Sequence, residues 1–156
     1  MKLYIPDESA MITLGCRLAA VLPDSGLVVT LHGDLGAGKT TLVRAILRTL
    51  GVTGHVRSPT YTLVEPYDIG GRRAWHLDLY RLSDPEELEF LGIRDLDPAN
   101  DLIFIEWPER GRGLLPPIDL AIDIAVAEPG GRKVTLSPQT KRAEAMPHQG
   151  QFSRGM

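Results

Sequence analysis

Gly33-Asp34-Leu35-Gly36-Ala37-Gly38-Lys39-Thr40 is a complete G-x-x-x-x-G-K-[ST] loop. Its three glycines let backbone N–H groups turn inward around phosphate oxygens. Lys39 has the reach for β and γ phosphates, and the Thr40 hydroxyl is a hard oxygen suited to Mg²⁺. A second metal contact is expected from an acid at the end of a neighbouring strand. Glu106 closes the apolar run 102–105 and is the candidate. Asp78 lies within a β-forming run, where an acid is disfavoured. It could orient or activate a water, or hold a metal-bound water. The chemistry these residues suit is phosphoryl transfer from a nucleoside triphosphate. Two plainer readings stay open: an exposed acid at a strand end for Glu106, and a solvated hairpin face for Asp78. Ser58-Pro59-Thr60 lies where a nucleotide switch presents a hydroxyl to the γ-phosphate, and an ordinary turn is its alternative.

These side chains need a strand and a helix around the loop. Leu27–Leu31 reads as a buried strand, and the segment 41–50, with apolar residues at helical spacing and Gly51 as a stop, reads as a helix opening at the loop. Its N-terminus adds partial positive charge at the phosphate position. Residues 3–5 predict a short edge strand. Asp7 is an expected N-cap, ahead of a helix with Leu14, Leu18, Val21 and Leu22 on one face. Residues 60–67 and 74–80 predict two strands joined at Gly70-Gly71 as an antiparallel hairpin. Alternation puts His76, Asp78 and Tyr80 on one face and Trp75, Leu77 and Leu79 on the other. His76 is expected to be structural, because the four histidines lack metal-ligand spacing. Residues 84–92 predict a short helix capped by Asp84, with Pro85 first and Gly92 last. Residues 101–105 suit a central strand, and 120–126 with 132–136 a final hairpin. The expected fold is one α/β domain, a mixed central sheet flanked by helices, over residues 1–136. Apolar density collapses from Ser137, so 137–156 reads as a polar, mobile tail.

The chain has 156 residues, a formal net charge of -3 and 43% hydrophobic residues, which suit one globular domain. The acidic balance argues against a free-standing nucleic-acid binder. Cys16 stands alone, so no disulfide framework or thiolate zinc site is available, and its apolar helical setting predicts a core position. No apolar run approaches a membrane span and the opening residues lack a signal-peptide core, so a reducing cytoplasm and no membrane partner are expected.

Several segments together resemble one family. They are Gly33 to Thr41, Ser58-Pro59-Thr60-Tyr61-Thr62-Leu63-Val64, His76-Leu77-Asp78-Leu79-Tyr80-Arg81-Leu82, Asp84-Pro85-Glu86-Glu87-Leu88 and Ile105-Glu106-Trp107-Pro108-Glu109. The chain resembles the TsaE (YjeE) family, small P-loop ATPases of bacterial tRNA threonylcarbamoyladenosine biosynthesis, over about residues 3–136. The resemblance implies ATP and Mg²⁺, a weak ATPase dependent on the partners TsaD and TsaB, and modification of adenosine 37 in tRNAs reading codons that start with A. The transfer itself would belong to TsaD, and tRNA would be met through the complex. Carried over by position, Gly33, Asp34, Leu35, Gly36, Ala37, Gly38, Lys39, Thr40 and Thr41 hold the nucleotide, with Thr60 in the switch-like loop. Thr40 and Glu106 hold the metal, and Lys39 and Asp78 are catalytic candidates. Glu8 and Gly131 are implied, by the resemblance alone, to close around adenosine. Two other readings remain: a small P-loop kinase, or a module that holds nucleotide without hydrolysis. Against the kinase there is no arginine-rich lid, Arg110 and Arg112 being the nearest. The guanine-reading Asn-Lys-x-Asp segment is absent.

Overall fold

Two apolar runs with side chains buried on both faces form the centre of the sheet, as parallel strands require. β2 (Leu27–His32) lies parallel to β5 (Leu102–Glu106) on one side and to β6 (Leu120–Val126) on the other. β4 (Arg73–Asp78) runs parallel beside β5. Antiparallel strands finish both sides: β3 (Val64–Asp68) on β4, then β7 (Arg132–Pro138) on β6 and β1 (Lys2–Ile5) on β7. The seven-stranded order is β1-β7-β6-β2-β5-β4-β3, a mixed sheet as expected. The computed structural model describes residues 1–54, 56 and 62–147. Among these, no helix is long and apolar enough to cross a membrane.

One face packs against α1 (Glu8–Val21) and α2 (Lys39–Thr49), with Leu14, Leu18, Leu42, Ile46 and Phe104 in that core. Asp7 caps α1, its Oδ1 accepting the Ala10 amide at 2.8 Å. The two helices approach closely at Gly15, where an added Cβ would lie 2.5 Å from the Ala45 Cβ. The other face carries Trp75, Leu77, Leu79, Ile103 and Ile105. It is covered by Leu88 of α3 (Glu87–Phe90) and by the segment around a 3₁₀ turn at Ile93–Asp95.

Three expectations change. Cys16 is exposed rather than in the core. It lies two residues from buried Leu14, hence on the far side of α1, with the Thr49 hydroxyl 3.3 Å from its Sγ. The helix expected from residue 84 starts at Glu87; Asp84 instead organises the preceding turn, accepting the Glu86 amide at 3.0 Å. The segment from Ser137 does not begin as a mobile tail. β7 continues to Pro138, and α4 (Lys141–Glu144) follows, capped by Thr140, with Ala143 and Met146 buried. Residues 148–156 lie outside the described residues.

Candidate nucleotide site

The glycine loop fills the turn from β2 into α2. At Gly33, φ is +152° and an added Cβ would stand 2.5 Å from the Ile124 carbonyl oxygen, so the position admits no side chain. The loop borders two cavities, of about 420 and 300 Å³, which share Gly36, Ala37, Gly38 and Thr41. Leu35, Lys39, Thr40, Asp78 and Glu106 line the larger. Glu8 and Gly131, far apart in sequence, line the smaller. Thr60 and the Ser-Pro-Thr segment lie outside the described residues.

Strand register brings the two acids together. Asp78 and Glu106 are direct partners across β4 and β5, at the ends of both strands nearest the loop. Glu106 is 2% exposed, so it is a buried group rather than an exposed strand-end acid. The Thr40 hydroxyl donates to its two oxygens at 3.1 and 2.9 Å, and His76 Nε2 lies 2.5 Å from Oε2. A threonine oxygen and a carboxylate converging in this way form a hard-oxygen pair. Such a pair suits a small divalent cation that takes its remaining ligands from water and phosphate. Among the described residues no three His, Cys, Asp or Glu side chains form a metal cage. Asp78 is 8% exposed, so its strand face is not solvated; its Oδ1 accepts the Tyr80 amide at 3.1 Å. Burial pushes its carboxyl above the ordinary value, and the Glu106 charge adds to this; the Tyr80 amide, His76 and Lys39 pull the other way.

Lys39 is 5% exposed and donates to the carbonyls of Gly33 and Asp34, the latter at 3.0 Å. Its ammonium also stands 4.4 Å from the Trp107 ring centroid, a cation–π distance. Burial lowers its pKa, while the charges of Glu106, Asp78, Asp34 and Glu109 oppose that shift. A desolvated ammonium resting on loop carbonyls is a cation ready for an anion.

Five contributors are new or acquire a role. His76 holds the Glu106 carboxylate rather than only filling the core, and its position two residues before Asp78 on the same strand face was the available signal. Trp107 adopts a left-handed backbone at φ +57°, uncommon outside glycine and typical of functional sites. Tyr80 packs against it at 5.0 Å between ring centroids, and Arg110 stands 5.5 Å over the Tyr80 ring. Arg132 donates to the loop carbonyls of Ala37 and Gly36 from 95 and 96 residues away, a contact with no local sequence signal.

Known proteins resemble this chain in sequence and fold. The family model of the threonylcarbamoyl adenosine biosynthesis protein TsaE matches residues 5–134. A Haemophilus influenzae protein named tRNA threonylcarbamoyladenosine biosynthesis protein TsaE is 48% identical over 141 residues, covering 88% of this chain and 89% of its own. A protein of the same name from Bacillus subtilis is 35% identical over 141 residues, covering 90% and 86%. The crystal structure of Bacillus subtilis YdiB superposes with a TM-score of 0.76 at 28% identity, covering 92% of this chain and 88% of that one. The glycine loop, its partner acid and the mixed sheet that joins them thus lie within one matched region, and the chain belongs to the TsaE family.

Proposed function

We propose that this chain is a Mg²⁺-dependent ATPase of the cytoplasm. In this reading it serves threonylcarbamoyladenosine modification of adenosine 37 in tRNAs reading codons that start with A, working with TsaD and TsaB. The names of its relatives support the pathway. The observation that carries the nucleotide chemistry is the Thr40 hydroxyl on the Glu106 carboxylate, beside a buried loop lysine.

Lys39 leaves the carbonyls of Gly33 and Asp34 and neutralises β and γ phosphate oxygens. Thr40 and Glu106 hold Mg²⁺, which when bound offsets charge on the transferring phosphoryl group. His76 keeps Glu106 aimed at Thr40. Asp78 is anchored through Oδ1 on the Tyr80 amide. Its Oδ2 orients the attacking water and takes its proton. Burial makes this carboxylate a stronger base than an ordinary one. Glu8 and Gly131, on the second cavity, enclose adenosine.

Phosphate release, measured with and without Mg²⁺ and with and without TsaD and TsaB, tests the reading. Mg²⁺-dependent release that rises with the partners is expected, and Lys39→Ala should abolish tight ATP binding. Transfer of label to a small acceptor would replace the ATPase with a kinase. Binding without release under every condition would leave a passive nucleotide module.

A further inference from the structure

We infer that Arg132 is a positioning residue that holds the phosphate loop in its anion-binding shape from the last hairpin. The inference rests only on the phosphate-binding part of the reading above.

Arg132 opens β7, in register with Ile5 of β1 and Val126 of β6, so three strands fix its backbone. Its guanidinium meets three carbonyls. Nε donates to Ala37 at 3.1 Å, Nη2 to Gly36 at 3.3 Å, and Nη1 to Gly131 of its own hairpin at 3.0 Å. A planar fork of donors can hold two successive carbonyls at once, which a lysine ammonium cannot do in one fixed geometry.

The consequence follows from peptide planarity. In a trans peptide the C=O and the next N–H point in opposite directions. Drawing the Ala37 carbonyl toward Arg132 aims the Gly38 amide away from it. Drawing the Gly36 carbonyl the same way sets the Ala37 amide, which donates to the Asp34 carbonyl at 3.1 Å. Arg132 thus restrains the Ala37–Gly38 peptide plane and adds a second restraint to the Gly36–Ala37 plane before any anion arrives. The guanidinium also adds positive charge beside the loop, which favours an anion there. Arg132 and Gly131 line the smaller cavity together with the loop, so one side chain ties the hairpin turn to the phosphate cradle.

The test uses the full chain without nucleotide. Hydrogen exchange is followed over residues 33–38, with residues 102–106 of β5 as the internal reference. Sodium tripolyphosphate, which has no base or ribose, is then titrated. Arg132→Gln should speed exchange in the loop alone and weaken tripolyphosphate about tenfold, the scale of a lost charge-assisted contact. Arg132→Lys keeps the charge without the fork. It should regain part of the affinity while the loop still exchanges fast. Unchanged loop exchange in Arg132→Gln would overturn the inference. So would acceleration that extends equally through β5, which marks a residue needed only for folding. If the unaltered protein binds no tripolyphosphate, the phosphate reading fails, and the loop exchange still decides whether Arg132 positions the loop.

Discussion

Two buried aspartates at opposite ends of the sheet have opposite electrostatic characters. Asp119, 3% exposed, lies beside the start of β2. Its carboxylate accepts the Val28 amide at 2.8 Å, the Thr140 hydroxyl at 2.7 Å, and Arg142 at 2.9 and 2.5 Å. Burial pushes its carboxyl up, but hydrogen bonds from Arg142, Val28 and Thr140 outweigh that and hold it below the ordinary value. Asp78, at the other end of the parallel strands, has one backbone amide for support and a second carboxylate as its neighbour, and its carboxyl is raised. The first carboxylate is saturated with donors and joins the C-terminal segment to the sheet. The second is left under-supplied, which makes it costly to the fold and available for chemistry.

The largest expected effect breaks the saturated end. Asp119→Ala leaves the Val28 amide and Arg142 without their acceptor and should cost about 3 kcal/mol, read from the denaturant midpoint. Nucleotide binding by the variant that remains folded should be unchanged. Asp78→Asn should do the reverse. Hydrolysis in the partner-containing assay should fall roughly a hundredfold, while ATP still binds and the unfolding midpoint at neutral pH rises slightly.

The two sites also differ in their response to pH. Asp119 has a depressed folded value, so its stabilisation is present above the unfolded value and lost as pH falls through the folded one. Asp78 has a raised folded value, so the folded state binds the extra proton and its cost appears as pH rises above about 3.8 toward the raised value. Stability of Asp78→Asn relative to the parent should therefore converge in acid, and a gap independent of pH would break the comparison. The smallest effect should come from Arg142→Ala, about 1 kcal/mol, because Val28 and Thr140 still serve Asp119.

The legible part of the site was the contiguous part. Eight adjacent residues announced the loop, and the apolar run 102–105 pointed to Glu106. Three features depend on which strands lie side by side: the in-register pairing of Asp78 with Glu106, the His76 contact, and the reach of Arg132 to the loop. No local pattern encodes that order. The order of residues 137–147 was not legible for a related reason. Low apolar density marks chain that cannot build a core, yet Thr140 and Arg142 dock through polar contacts on one distant acid. The strands themselves were recoverable because apolar runs and alternation are local.

The close approach at Gly15 has a mechanical consequence. With no space between α1 and α2 at Ala45, the two helices can come no closer there. That contact helps set the spacing of Glu8 at the start of one and Lys39 at the start of the other. A bulkier residue at position 15 would act as a wedge against Leu42, Ala45 and Ile46, forcing apart the two helices whose starts border the proposed nucleotide site.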